Sequence, residues 1–269
     1  MACGSAESEL VRKISALLGS QQLAQWIVAE ANDRERGGSP EKVAFEIADR
    51  YIAGEPLQYI FGHWSFRTLE LKCDSRALIP RPETELLVEL VKSEIASNPA
   101  IKKVLEIGTG TGAIALALGT ELSGLYIIAT EVSSAALELA RENLAAQENL
   151  LSEVEMVFSD LFSSLSRHET FDLIVSNPPY VSGSTPLDPI VANFEPHTAL
   201  FGGEDGLSVI REIIRAAPEK LKGPGSHVMI EIGESHGPEV TGMATHNGFS
   251  HVRILPDLSG RDRFADLVY

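Results

Sequence analysis

The chain has 269 residues, more than one average domain and short of two, so one large domain with a small appendage is the expected plan. With 44% hydrophobic and 22% charged residues it has enough apolar material for a packed core, which excludes a largely disordered chain. Its 38 acids against 22 bases give a net charge of -16, which repels phosphate backbones and argues against a duplex-binding surface.

In chain order, Leu10, Val11, Ile14, Leu17 and Leu18 recur at helical spacing, and Leu23, Trp26 and Ile27 continue a second apolar stripe. The polar run from Asp33 ends in Gly37-Gly38, a helix stop. Ser39-Pro40-Glu41 is a helix start: a cap residue, a proline in the first turn, then an acid. Val43, Ala44, Ile47, Ala48 and Tyr51 give that helix its apolar face, and Gly54-Glu55-Pro56 breaks it. Residues 1–62 therefore read as a small helical unit. The alternation of Phe66, Leu69, Leu71 and Cys73 predicts a hairpin, and Ile79-Pro80-Arg81-Pro82 an extended element, so that residues 63–82 link the two parts. Leu86, Leu87, Leu90, Val91 and Ile95 predict a helix over 83–97, with Glu83 and Glu85 at its start.

From residue 103 onward apolar runs alternate with helical stretches. Strands are expected at 103–107, 125–130, 154–158, 171–176 and 226–232, with helices at 113–122, 134–146 and 207–221. Such alternation predicts an α/β fold with a parallel sheet covered on both faces. Two closing strands, 249–255 and 264–269, are joined by a turn that forces antiparallel pairing at the sheet's end. No segment approaches the roughly 20 apolar residues of a membrane helix, and Met1 to Glu9 is polar and acidic, unlike a signal peptide, so a cytoplasmic protein is expected. Two cysteines, Cys3 and Cys73, are too few for a disulfide framework. The seven histidines show no ligand spacing, and no metal is expected.

Three segments carry chemistry. Gly108-Thr109-Gly110-Thr111-Gly112 follows a strand and opens a helix, where glycines allow a sharp turn and the close approach of a ligand. It lacks the Gly-Lys-Ser/Thr of a phosphate-cradling loop; a tight turn without a ligand is the bland alternative. Glu131 stands at the tip of the next strand, where a carboxylate accepts both hydroxyls of a ribose. Phe171 to Ser176 runs into Asn177-Pro178-Pro179-Tyr180. The Asn177 side-chain carbonyl and the Pro178 backbone carbonyl can accept both hydrogens of an –NH2 group, and Tyr180 supplies a flat face for a planar amide or base.

These segments resemble class I S-adenosylmethionine-dependent amino-methyltransferases. Asn-Pro-Pro-Tyr alone is shared by adenine and glutamine methyltransferases. Gly54 to Gly62, Leu78 to Glu85, Phe194-Glu195-Pro196, Gly203 to Leu207 and Asp257 to Arg263 narrow the resemblance to the peptide chain release factor N5-glutamine methyltransferases, the HemK/PrmC family, from about residue 54 to the C-terminus. The resemblance implies a Rossmann-like, mostly parallel seven-stranded sheet with an antiparallel final strand in residues 83–269, plus a helical substrate-recognition domain. It implies methyl transfer from S-adenosyl-L-methionine to the glutamine of the Gly-Gly-Gln motif in class 1 release factors, in translation termination. Gly108, Thr109, Gly110, Thr111 and Gly112 would hold the methionine part, Glu131 the ribose and Leu161 the adenine. Asn177, Pro178, Pro179 and Tyr180 would hold the glutamine, with Asn177 also touching the methionine end and Asn177 and Pro178 serving catalysis. The family has Asp where Glu131 stands, and Trp where Leu161 follows Ser159-Asp160. A monomer without direct nucleic acid binding is expected; the rival reading is a nucleic acid adenine N6-methyltransferase.

Overall fold

The computed structural model describes residues 3–34 and 39–269, so the helix stop expected at Gly37-Gly38 lies outside the described residues. By contacts the chain divides into two units, Met1–His63 with Asp188–Phe194, and Trp64–Leu187 with Glu195–Tyr269.

The first unit contains α1 (Cys3–Leu18), α2 (Gln21–Asp33), α3 (Pro40–Ile52) and α4 (Leu57–Phe61). Ser20 and Ser39 cap α2 and α3, their hydroxyls accepting from the Leu23 and Lys42 amides at 3.3 Å. The apolar stripes converge: Leu10, Ile14, Ile27, Ile47, Leu57 and Ile60 are buried in one cluster. Arg34 ties the end of α2 to α4, donating to the Ile60 and Phe61 carbonyls at 2.8 and 2.6 Å. Helix α4 stops at Gly62, whose φ of +78° suits glycine.

The hairpin of β1 (His63–Phe66) and β2 (Leu69–Lys72) leads into α5 (Pro82–Ser97). Phe66, Leu69 and Leu71 lie in the same buried cluster as Leu87 and Val91 of α5. There follow β3 (Lys103–Ile107), α6 (Ala113–Glu121), β4 (Tyr126–Glu131), α7 (Ser134–Ala145), β5 (Glu153–Phe158) and β6 (Leu173–Ser176). After α8 (Pro189–Phe194), which belongs to the first unit, come α9 (Ser208–Ala216), β7 (His227–Glu231), α10 (Gly237–His246), β8 (His251–Pro256) and β9 (Asp262–Val268). Among the described residues these strands form a seven-stranded sheet in the order β5-β4-β3-β6-β7-β9-β8. The final strand, β9, runs antiparallel to both β7 and β8 and lies between them.

Strand residues alternate between two buried layers, as period-two geometry requires. Val104, Ile127, Ala129, Val175 and Met229 face the layer of α5, α6 and α7. Leu105, Ile107, Ile128, Ile174 and Ile230 face the layer of α9 and α10. Helix α10 has no counterpart in the sequence reading: Gly237, Pro238 and Gly242 dilute its pattern, and its Val240 and Ala244 are recruited by packing. No helix among the described residues is long and apolar enough to cross a membrane.

Candidate active site

β3 and β6 pair in parallel with Ile107 opposite Ser176, so the chain leaves both strands side by side at one edge. Crevices at the carboxyl ends of parallel strands are where such sheets bind ligands. One exit is the glycine turn, the other is Asn177 to Tyr180; Glu131 ends the neighbouring β4.

The turn depends on left-handed backbone: φ is +74°, +57° and +88° at Gly108, Gly110 and Gly112. A Cβ on Gly108 or Gly110 would meet no heavy atom within 4 Å, whereas one on Gly112 would come within 3.1 Å of Leu116 and 3.3 Å of Met156. The first two glycines thus leave open space beside the turn, and the third lets it pack on its own helix. The Gly110 amide donates to Glu131 Oε2 and the Ser133 amide to Oε1, both at 2.9 Å. Beneath the turn lies Glu106, 1% exposed, accepting from the Thr109 hydroxyl at 2.6 Å and the Ala115 amide at 3.0 Å. Burial raises its carboxyl to about 8 against the pull of those two bonds. Asn143 of α7 donates to the Thr111 carbonyl at 2.8 Å while accepting from the Lys72 amide at 2.7 Å, fastening the turn to the hairpin.

Gly108, Thr109, Gly110, Thr111, Glu131, Leu161, Asn177, Pro178 and Pro179 line one cleft of ≈400 Å³. Gly112 and Tyr180 are not in its wall. Leu161 has φ +48°, in the left-handed region; the Ser159 hydroxyl holds that turn, donating to the Leu161 carbonyl at 3.0 Å.

Asn177 is fixed from outside its own loop. Its Nδ2 donates to Thr84 Oγ1 at 2.9 Å, and the Thr84 hydroxyl donates to Glu231 Oε2 at 2.8 Å. The other oxygen, Oε1, accepts from the Tyr180 hydroxyl at 3.0 Å. Burial raises the Glu231 carboxyl, and burial with the Glu231 charge raises the Tyr180 phenol. The Arg263 guanidinium lies 5.8 Å from the Tyr180 ring centre. Tyr180 therefore braces the loop from behind. The start of α5 contributes Thr84 to this chain of bonds, and neither of the acids beside it: Glu85 accepts from the Arg67 amide at 3.0 Å, and Glu83 is exposed.

Two further supports lie in or beside blocks that carried the resemblance but were given no role from the sequence. Glu195, 4% exposed, accepts from the Ile79 amide at 3.2 Å and from Arg81 at 2.6 Å, pinning the proline-flanked wall of the cleft. The segment Gly202 to Gly206 lies against the loop's backbone: a Cβ at Gly202 would stand 2.4 Å from the Pro179 carbonyl oxygen, and one at Gly206 2.4 Å from that of Tyr180. The signal was the glycine pair itself, since such contact excludes any side chain.

Residues 82–198 match the Methyltransferase small domain family. The chain is 36% identical over 256 residues to a release factor glutamine methyltransferase of Neisseria gonorrhoeae, covering 93% of this chain and 91% of that protein. To the protein of that name from Streptococcus pneumoniae it is 42% identical over 224 residues, covering 81% of this chain and 76% of that one. Among solved structures, a methyltransferase from Pyrococcus furiosus aligns with a TM-score of 0.54 at 20% identity, over 76% of this chain and 90% of that one. The N-terminal domain of human METTL16 in complex with SAH aligns at 0.52 and 19% identity, over 74% of each chain. At such identities these two structures speak for the fold alone.

Proposed function

The chain belongs to the release factor glutamine methyltransferase family, and from that premise we propose how its own residues carry the reaction. The enzyme transfers a methyl group from S-adenosyl-L-methionine to the side-chain amide nitrogen of a release-factor glutamine. The cleft fits that cofactor: open space beside Gly108 and Gly110, a carboxylate at the tip of β4, and an apolar side chain at Leu161. When bound, the cofactor supplies a methyl already activated on a sulfonium sulfur, so the protein's task is alignment.

Gly108 to Gly112 shape the methionine end. Glu131 spends one lone pair per oxygen on the Gly110 and Ser133 amides and keeps others for ribose hydroxyls. Leu161 offers the adenine an apolar face. At the substrate end the amide nitrogen is a poor nucleophile, because its lone pair is delocalised into the carbonyl. Asn177 Oδ1 and the Pro178 carbonyl accept its two N–H bonds, orient it and make it more electron-rich. Pro179 and Tyr180 stiffen and brace that clamp. The proton leaves late, to water, once alkylation has made the nitrogen acidic. The acceptor is the glutamine of Gly-Gly-Gln in class 1 release factors, and the reaction belongs to translation termination in the cytoplasm, where release factors work.

The observation that carries this reading is the engagement of Asn177 Nδ2 by Thr84, which keeps Oδ1 for the cleft that Asn177 lines. An adenine methyltransferase would use a similar clamp, but the relatives covering most of the chain are named for glutamine, and a net charge of -16 opposes nucleic acid. The test is transfer of labelled methyl to an intact release factor, with the label mapped by mass spectrometry. Asn177→Ala removes one hydrogen bond, about 0.5–1.5 kcal/mol in binding. Because alignment controls the rate, its single-turnover transfer should fall by about 100-fold while cofactor affinity changes little. Asn177→Asp keeps an acceptor but adds charge beside the clamp, and should also be slow. A wild-type rate in Asn177→Ala would remove this residue from the reaction.

A further inference from the structure

Asn177 can aid an incoming amide only if its own amide points the right way. Its two ends have nearly the same shape and opposite hydrogen-bonding character. With Oδ1 toward the cleft it accepts an N–H; flipped, it presents a second donor to the substrate's donors and the clamp fails. Nothing within Asn177 to Tyr180 decides between these states. The deciding groups come from elsewhere: Thr84 in the first turn of α5, 93 positions away, and Glu231 at the end of β7, a further partner of Thr84 at a separation of 147.

A hydroxyl has a single proton. In Thr84 that proton goes to Glu231 Oε2 at 2.8 Å, so toward Asn177 the Thr84 oxygen has only lone pairs. It can hold Nδ2 and cannot hold Oδ1, which matches the 2.9 Å contact from Nδ2. Glu231 is 1% exposed and Thr84 5%, so the bond between these two is shielded from water and the Thr84 proton stays with Glu231. The second oxygen of Glu231 is occupied by the Tyr180 hydroxyl at 3.0 Å, so the carboxylate serves as acceptor to both supports of the loop. A buried acid at the end of a sheet strand is an expensive feature for stability alone.

We propose that Glu231 and Thr84 are positioning residues that set the polarity of the Asn177 amide, and so make its carbonyl available to the substrate glutamine. The inference rests on the reading of Asn177 as acceptor, and the variants below separate the two. Thr84→Val is nearly isosteric and removes the hydroxyl; Thr84→Ser keeps it. Glu231→Gln keeps the volume but adds a donor, which lets Thr84 turn its proton toward Asn177.

Single-turnover methyl transfer to an intact release factor is measured together with cofactor affinity. Thr84→Val should lose about 10-fold or more in rate at saturating acceptor, with cofactor affinity within about 3-fold of wild type. Thr84→Ser should recover most of that loss. Glu231→Gln should be slow in the same way. In the Asn177→Ala background, Thr84→Val should cost nothing more, because both changes act through one contact. If Asn177→Ala is slow while Thr84→Val keeps the wild-type rate, the polarity role fails and the acceptor role stands. If Asn177→Ala itself is fast, both fail. Equal loss in Thr84→Ser and Thr84→Val, additive losses in the double variant, or a wild-type rate in Glu231→Gln would each overturn the proposal. Should Thr84→Val be too unstable to assay, the serine and glutamine variants still decide it: serine slow or glutamine fast overturns it, serine fast with glutamine slow upholds it.

Discussion

Glu106 sits beneath the glycine turn with a carboxyl that burial raises from 4.5 to about 8. An acid whose pKa is higher folded than unfolded favours the folded state only while protonated. Its contribution is complete below the unfolded value and disappears as pH rises through about 8. Each unit of difference is worth ~1.4 kcal/mol. Glu106→Gln keeps both acceptor contacts without a titrating proton. Unfolding of the ligand-free enzyme in urea should therefore show the variant gaining on wild type between about pH 5 and about pH 8, by a few kcal/mol in all. A gap that stays constant with pH would mean that Glu106 titrates alike folded and unfolded. At this scale the sequence is legible where chemistry is written locally. The glycine turn, Glu131 and Asn177 to Pro179 stand on consecutive residues or strand tips, and the parallel register of β3 with β6 brings them to one cleft. The roles of Thr84, Glu231 and Glu195 are illegible for the opposite reason. Each is an ordinary polar residue whose partner lies far along the chain: Thr84 is 147 positions from Glu231, and Glu195 is 116 from Ile79.

Elements were readable in proportion to their length and to the clarity of their period. The strands of the parallel sheet, α5, α6 and α7 announce themselves by apolar pattern, and α3 by its cap. Helix α4, five residues long, is too short to show a period, and α10 carries glycines that hide one. Loops carry a different kind of information, the close approach. Gly206 has φ +78°, and a Cβ there would stand 2.4 Å from the Tyr180 carbonyl oxygen. Gly206→Ala should therefore suffer twice, about 1–2 kcal/mol for left-handed backbone and more for the contact. The loop of Asn177 to Tyr180 must then shift, so methyl transfer should drop well beyond what the stability loss predicts. Gly124 is the control: its φ is +73°, but a Cβ would meet nothing within 4 Å. Gly124→Ala should show the backbone cost alone, with the transfer rate unchanged. Thermal unfolding and single-turnover rates of the two variants separate strain from contact. Equal behaviour would remove the Gly202 to Gly206 segment as a support of the loop.

At the scale of the molecule, one unit accounts for the cleft: among the described residues, every residue of its wall belongs to Trp64–Leu187 or Glu195–Tyr269. The helical unit contributes none of them; the role in recognising the protein substrate that the resemblance implies for it is the prediction to test. Where to cut the chain follows from packing. A chain beginning near Arg76 would lose Phe66, Leu69 and Leu71 from the core shared with α5, and the Lys72 backbone that Asn143 holds. A start at Trp64 keeps all of these. Asp188–Phe194 belongs by contacts to the removed unit and stays behind, so an internal control is needed. A short peptide containing Gly-Gly-Gln supplies it, because it enters the cleft without engaging a larger surface. The chain from Trp64 should bind cofactor within about 3-fold of the full chain and methylate the peptide at a similar rate. Against an intact release factor its kcat/KM should fall by about 10-fold or more, since a lost recognition surface is worth at least ~1.4 kcal/mol on this scale. Equal efficiency on the intact protein would assign recognition to the unit that holds the cleft. Loss on peptide and protein alike would instead mean that the helical unit supports the catalytic fold.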